Sequence, residues 1–364
     1  MPIYENKRII MTNNNILVIG GANIEYVLKS KTDIVQGSKN FVDIEELFGG
    51  SGVNYSLRLL SYGESVFPIL FVGDDSTGRQ IYDAMCDYME IREKDFFVPT
   101  LTTPQSTIIV EGAHRTILSQ DANRKNIFQA FVAKRIEHAE DIGAVIIGHI
   151  HNDRLEINTK DDTLTTLYTL EHFKDDKNTL VYVNFGASQL EYGFSFWKDH
   201  LEKVDILQLN IHELRTFISN GFTCDLACLI EKIHELHINM ILTLDKFGAI
   251  GIMKDDKNTL FVARPIPNIK GFVDSTGSGD AYCAGMVSRL KGDKNFSANS
   301  FKEAMERGRS WATYACKSFG GANDCPAKKE IDTFHHDKNK DNEVVLYKDS
   351  AMKDVIALID SMIA

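Results

Sequence analysis

The chain has 364 residues, is 43% hydrophobic and 25% charged, and carries a formal net charge of −11. That composition is that of an ordinary globular protein with a sizeable core, in one large α/β domain or two small ones. With no long basic run, the acidic balance argues against a nucleic acid or anionic membrane held through phosphates, though a small basic pocket stays open. The opening MPIYENKRIIMTNNN lacks the apolar stretch of a signal peptide, and no run reaches the length of a membrane span, so a cytoplasmic protein is expected. ILVIG (16–20) predicts a buried strand, GVNYSLRLLSYG (52–63) a helix, VFPILFVG (66–73) a strand and STGRQIYDAMCDYM (76–89) a helix. Residues 26–48 and 98–120 hold β-prone pieces such as STIIVEG and HRTILS, which pair as a small extra sheet, a lid, or stand as surface hairpins. Further strands are expected at AVIIGHI (144–150), TLVYVNFG (179–186), DILQLN (205–210), MILTLD (240–245) and IKGFV (269–273), the last followed by a helix at AYCAGMVSRL. FHHDKNKDNE (334–343) reads as a loop or linker, followed by a strand at EVVLYKD and a short amphipathic helix. Strand–helix alternation implies a mostly parallel sheet covered on both faces, with ligands at the carboxyl ends of its strands.

Cys86, Cys224, Cys228, Cys283, Cys316 and Cys325 form no CxxC pair. Cys224 and Cys228 share a helical face, which suits a metal less well than buried thiols in a reducing compartment. His149 and His151 share a strand face without a third ligand in view; Arg115 either meets an acidic substrate group or is solvated; Trp197 and Trp311 read as packing residues. Several glycine clusters mimic nucleotide motifs. GGANIE (20–25) is not GxGxxG, and GSGVNY (50–55) puts Tyr55 at the third glycine. GDDSTGRQ (73–80) has Arg79 and Gln80 where a P-loop has Lys-Ser/Thr, and two aspartates that would repel phosphate.

DSTGSGD (274–280) is different. It is a small-residue turn opening a helix, where unpaired N–H groups and the helix dipole favour an anion. Gly277 and Gly279 let the backbone approach closely. Asp280 is a poor phosphate binder at that place, but a suitable base for a hydroxyl attacking phosphorus. Anion hole plus base suggests phosphoryl transfer; a capped structural turn is the other reading. FGGSGVNYSLRLLSYG (48–63) is a second glycine turn into a helix. Gly49 and Gly50 would admit a ring and Asn54 would bond sugar hydroxyls, unless Asn54 only caps the helix; Asn23 and Glu25 add polar groups beside it.

GGSGVN with its helix, GDDSTG and DSTGSGD, in this order, resemble the ribokinase-like (PfkB-type) family of carbohydrate and nucleoside kinases, and LNIHE (209–213) strengthens the resemblance, which spans about residues 14–334. It implies a three-layer α/β/α fold with a small β lid (from about 26–48 and 98–120), ATP as phosphoryl donor and Mg2+; residues 335–364 fall outside the resemblance and read as an added strand and helix or an interface. On matched positions Asp280 is the base, and Gly277, Ser278 and Gly279 supply the anion hole. Asn23, Glu25, Gly49, Gly50 and Asn54 lie on the substrate side, and Thr243, Leu244 and Gly248 in the nucleotide loop. Asn210 and Glu213 match an Asn-x-x-Glu that organises magnesium, through water at Glu213, and phosphates; they also fit a helix-capping pair. Asp274, Gly320 and Asp324 resemble the region that holds a monovalent cation such as K+.

The chain also departs from the family pattern. Glu25 stands where ribokinase-type members have Asp, which puts ribose specificity in question; Ser51 replaces the Lys of GGKG, which disfavours a phosphorylated substrate. The GGS form also resembles nucleoside kinases, and Asp245 replaces a common glycine of the nucleotide loop; Ser275 and Ser278 are milder changes from Thr and Ala. The expected activity is ATP- and magnesium-dependent phosphorylation of a primary hydroxyl on a small sugar. The alternatives are an adenosine-type nucleoside kinase and a non-catalytic sugar or nucleotide sensor on the same fold. The resemblance also allows a homodimer through the lid.

Overall fold

The computed structural model describes residues 15–30, 32–99, 101–111, 114–120, 129–150, 164–218, 238–254, 259–266, 271–339 and 344–347. Cys224, Cys228, His151, the side chain of Arg115 and the expected C-terminal helix lie outside the described residues. The apolar runs form strands where expected: β1 (Asn15–Gly20), β4 (Val66–Leu70), β7 (Ile142–Ile147), β8 (Leu180–Asn184), β9 (Ile206–Asn210) and β10 (Asn239–Thr243). These six are parallel, in the order β10-β9-β8-β7-β1-β4. Alternate residues of each strand feed two cores. Ile16 and Val18 of β1 meet helix α1 (Ser51–Tyr62) and the helices Ser278–Leu290 and Ala298–Ala315, with Trp311 among them. Leu17 and Ile19 face Val132, Phe173, Trp197 and Phe217 on the opposite face. Period-2 side chains buried on both faces make the three-layer α/β/α arrangement, each such apolar side chain contributing about 2 kcal/mol.

At one edge the sheet continues antiparallel through β11 (Ala249–Ile252), β12 (Leu260–Ala263) and β13 (Val345–Tyr347), nine strands among the described residues. β13 realises the strand expected beyond residue 334. A second sheet, in the order β3-β2-β5-β6, is made of β2 (Asn23–Ser30), β3 (Val42–Gly49), β5 (Gln105–Glu111) and β6 (His114–Ser119). Its strands come from the two segments without intervening helices, beginning three residues earlier than expected in the first. Among the described residues no helix is long and apolar enough to cross a membrane.

Two expectations need correction. No strand precedes the DSTGSGD turn over its described residues: Gly271 has φ 81° and Phe272 and Val273 are irregular and exposed. And 334–339 is helix, not linker: Lys328–Asn339 is one helix, docked by Ile331, by Phe334 edge-on to Tyr314, and by Tyr62 Oη donating to Asp332 at 2.9 Å.

Candidate active site

The two glycine turns meet at the carboxyl edge of the parallel sheet. Gly50, at φ 87°, leads into α1, and a Cβ there would lie 2.5 Å from the Gly21 carbonyl oxygen. The Gly52 N–H donates to that oxygen at 2.9 Å, so α1 starts docked on the chain leaving β1. Gly277, at φ 72°, caps the helix Ser278–Leu290 with no side-chain bond to its first turn, and its Cβ would lie 2.4 Å from Gly321 Cα. Asn54 and Asp280, 226 residues apart, then touch: Asn54 Nδ2 donates to Asp280 Oδ2 at 2.7 Å. Asn54 is buried and its Oδ1 has no partner among the described residues. Gly321 backs this pair, since a Cβ on it would meet the Asn54 amide at 2.2 Å, and the buried Arg58 of α1 donates Nη2 to the Gly321 carbonyl.

Of the turn's amides, Ser278 N–H is spent on the Ser275 carbonyl at 3.1 Å. The N–H groups of Gly277, Gly279 and Asp280 have no partner among the described residues. An anion set against this turn would therefore find donors on either side of Ser278, at the positive end of a thirteen-residue helix. The turn is braced from beneath: Gln208 Nε2 donates to the Gly279 carbonyl at 2.9 Å, and the buried Tyr182 hydroxyl donates to Gln208 Oε1 at 2.7 Å. Gln208→Ala would leave the buried Tyr182 hydroxyl only the weak Met286 sulfur, at 3.5 Å, as acceptor, so it lowers the unfolding free energy by about 1–3 kcal/mol, seen as a lower melting temperature.

Asn210 and Glu213 form a reciprocal cap. Asn210 Oδ1 accepts from the Glu213 N–H at 2.8 Å, and Glu213 Oε2 accepts from the Asn210 N–H at 2.8 Å, so the capping arrangement is present at the start of the helix Ile211–Ile218. Burial pushes the Glu213 carboxyl above its ordinary value; the Asp280 charge adds to this, while His149 and the Asn210 N–H oppose it. Two carboxylates that repel each other are a setting a divalent cation would relieve. Among the described residues, no three His, Cys, Asp or Glu side chains are clustered for a metal.

Glu25 lies over Gly49, where a Cβ would come within 2.5 Å of its carboxyl, so that glycine makes room for the acid. Asn23 is instead turned into the small sheet and donates to Ser106 Oγ at 3.2 Å. Ser51 faces inward, accepting from the His149 N–H at 2.9 Å. The small sheet rests on the loop that backs Asn54: Lys29 Nζ sits 3.5 Å from the Phe319 ring centre, and the Phe48 N–H donates to Asn323 Oδ1 at 3.1 Å. GDDSTG is scaffolding at its base. Asp75 caps the next helix through the Gly78 N–H at 2.7 Å and ties the strand entrance through the Thr103 N–H at 2.8 Å.

Thr243 ends β10, and the loop after it closes with the Leu244 N–H donating to the Gly248 carbonyl at 2.8 Å. Asp245 sits at φ 53°, the left-handed region that the commoner glycine would take without strain. Asp274 Oδ1 and Oδ2 accept from the N–H groups of Thr276 at 3.2 Å and Gly320 at 3.4 Å, which joins two of the three residues matched to a cation region. Asp324 is exposed on the same loop, where its charge bears on Tyr314 and Cys325. Burial first, then the charge of Asp274, with Arg58 opposing and Asp245 adding, pushes the Cys316 thiol up to about 11.

Sequence reasoning missed Tyr55, Tyr182, Asn184, Gln208 and Arg58, all buried here. The available signal was a polar residue inside an apolar run: Asn184 in VYVNF and Gln208 in ILQLN. Their partners lie on other elements and could not be read from one segment.

The pattern describing the pfkB family carbohydrate kinase matches residues 13–328. The fold is similar to that of a ribokinase from Giardia lamblia (TM-score 0.71, 17% identity, 88% of this chain and 98% of that one). It is also similar to a Burkholderia thailandensis nucleoside kinase in complex with inosine (TM-score 0.65, 14% identity, 90% and 99% covered). A third likeness is to an Arabidopsis thaliana ribokinase complexed with ribose and ATP (TM-score 0.64, 16% identity, 89% and 99% covered).

Proposed function

The chain belongs to the pfkB family of carbohydrate kinases, and from that premise we propose that it moves the γ-phosphoryl group of ATP to a hydroxyl of a small uncharged sugar. The observation that carries this reading is the meeting of Asp280, held by Asn54 of the substrate-side turn, with the partner-free amides of Gly279 and Asp280 itself. In the mechanism, the Asp280 carboxylate accepts the hydroxyl proton as its oxygen attacks phosphorus. The first-turn amides and the helix dipole meet the charge that builds on the transferred group. Glu213, burdened by burial and by Asp280, fits as the residue that holds Mg2+ through water; the ion would supply charge neutralisation for the phosphates. The 243–248 loop is the proposed seat of the nucleotide. Asp274 and Gly320 are the better supported side of the proposed K+ site, because the Gly320 N–H already donates to the Asp274 carboxylate.

Substrate chemistry follows from what faces the acceptor. Asn54 gives one N–H to Asp280 and keeps a second N–H and its Oδ1, and the Glu25 carboxylate beside Gly49 adds negative charge. An amide able to donate and to accept suits a polyol's hydroxyls, and the carboxylate charge disfavours a phosphorylated sugar. Ser51, in place of a lysine, accepts from the His149 N–H and offers no cation. The small sheet is the proposed lid, resting on the 319–323 loop beside the site, where closure would keep water from the phosphoryl group. Ile44, Ile117 and Leu118 are exposed on it, which supports pairing of two copies there. The free thiols of Cys86, Cys283, Cys316 and Cys325 suit a reducing cytoplasm.

The test is ADP release from magnesium-ATP against free sugars, sugar acids and nucleosides. A free sugar is expected to give the highest kcat/KM. Turnover of a nucleoside alone would move the assignment to a nucleoside kinase, and tight binding of a panel compound with no ADP from any of them would make the protein a sensor.

A further inference from the structure

Asn54, Arg58, Ser61 and Tyr62 fall along one face of α1. All four reach out of the helix to the last third of the chain: Asn54 to Asp280, Arg58 to the Gly321 carbonyl, Ser61 Oγ to the Cys325 carbonyl at 2.8 Å and the Tyr62 hydroxyl to Asp332 at 2.9 Å. Arg58 is the costly member. It is 4% exposed, its Nε has no partner, and no carboxylate pairs with it among the described residues. A guanidinium taken out of water for one carbonyl is a poor way to gain stability, and an apolar side chain of similar length would be tolerated about as well. Nor does it complete the packing, since a small cavity lies between it and Trp311, Pro326 and Ile331. What the charge does hold is Gly321. A Cβ on that residue would lie 2.2 Å from both polar atoms of the Asn54 amide, and a Cβ on Gly277 would lie 2.4 Å from the Gly321 Cα. The substrate-side amide and the anion turn thus lean on one peptide, and Arg58 grips its oxygen.

We propose that Arg58 is a positioning residue for phosphoryl transfer: it keeps the Gly321 peptide wedged against the Asn54 amide, so that Asn54 stays on Asp280. This rests on the kinase reading of Asp280. Asn54 and Arg58 stand one helical turn apart, so the two bonds they make fix one register between α1 and the loop that follows the helix Ala298–Ala315. A charged donor holds a carbonyl more firmly than a neutral one, which is what a wedge beside a catalytic acid requires. The turn at Gly320, φ 76°, presents the Gly321 carbonyl to α1 while the Gly320 N–H goes to Asp274 at 3.4 Å. Arg58 therefore touches no reacting group and acts through Gly321 alone.

Arg58→Met keeps the length of the side chain and removes the donor. It is expected to melt within a few degrees of wild type and to keep its affinity for ATP, while kcat with the acceptor found in the sugar and nucleoside panel falls on the order of tenfold. An arginine with only a structural role would do the reverse, lowering the melting temperature and leaving kcat in place. Arg58→Lys keeps a cationic donor of nearly the same reach and recovers most of the lost kcat. Because Arg58 acts through Asn54, adding Arg58→Met to Asn54→Ala costs little beyond Asn54→Ala alone; full additivity of the two losses overturns the proposal. A second readout needs no substrate. The Asn54 side-chain NH2 signals in an amide correlation spectrum, assigned by their absence from Asn54→Ala, shift in Arg58→Met and return toward wild type in Arg58→Lys. Arg58→Gln, with a shorter neutral donor, shifts them the same way by less and carries the test if Arg58→Met does not fold. Unmoved Asn54 signals in the Met and Gln variants overturn the proposal, as does a wild-type kcat in both. A wild-type protein that releases no ADP with any acceptor would instead count against the kinase reading, while the Asn54 signals still decide whether Arg58 holds that amide.

Discussion

Asp280→Asn keeps the fold and removes turnover by about three orders of magnitude, within the range a positioned general base contributes. The substitution is close to isosteric, and the neighbours explain why the fold should survive it. Asn54 Nδ2 now donates at 2.7 Å to one carboxylate oxygen, and an amide oxygen in that place accepts the same bond. The Gly277 turn and the Gln208 brace touch backbone, not the Asp280 side chain. The melting temperature should therefore stay within a few degrees of wild type, with nucleotide affinity kept, because the partner-free amides remain. What disappears is the acceptor for the hydroxyl proton. Single-turnover phosphoryl transfer, measured with the acceptor found in the panel, separates this loss from any change in product release. A kcat within tenfold of wild type would remove Asp280 from the base role and leave the turn with only an anion to bind.

The strands of the parallel sheet were legible because burial on both faces writes them as unbroken apolar runs, from ILVIG to MILTLD. β11 and β12 were not, since AIGI and LFVA are too short to carry a period and are strands only because β10 offers β11 an edge and β11 offers one to β12. The helix Lys328–Asn339 failed as a reading for a related reason. Its polar sequence shows few apolar positions, and its stability comes from Ile331 and Phe334 finding α1 and the helix Ala298–Ala315. IKGFV looked like a strand from its apolar residues, but Gly271 at φ 81° turns the chain and leaves Phe272 61% exposed. At the candidate site, the glycines and Asp280 could be read because turn chemistry is local. Asn210 and Glu213 could be read two ways, and the reciprocal cap occupies the Asn210 oxygen and one Glu213 oxygen without deciding what the Asn210 NH2 and the other Glu213 oxygen do. The buried tyrosines could not be read at all, because Tyr55 and Asn184 are 129 residues apart.

Gly277→Ala should lose both stability and activity, whereas Gly279→Ala, two residues on, should lose activity alone. The difference is geometric. Gly277 sits at φ 72°, where an L side chain costs about 1–2 kcal/mol. A methyl there would also stand 2.4 Å from Gly321 Cα, a backbone atom that cannot rotate away. Gly321 in turn touches the Asn54 amide and accepts from the buried Arg58, so displacing it loosens the pair that holds Asp280. Strain and overpacking together lower stability by about 2–4 kcal/mol, and the displaced base lowers kcat on the order of a hundredfold. At Gly279 no positive φ is required, and the nearest atom to an added Cβ is Gln208 Nε2 at 3.7 Å, an ordinary contact. That methyl would stand beside two of the partner-free amides, so Gly279→Ala should melt near wild type while its affinity for ATP and its kcat fall. Thermal melts and ATP titrations of the two variants, run side by side, separate the roles. If Gly277→Ala melts with wild type, the 320–321 turn is not the wall described here; if Gly279→Ala keeps full ATP affinity and turnover, the phosphoryl group does not approach those amides.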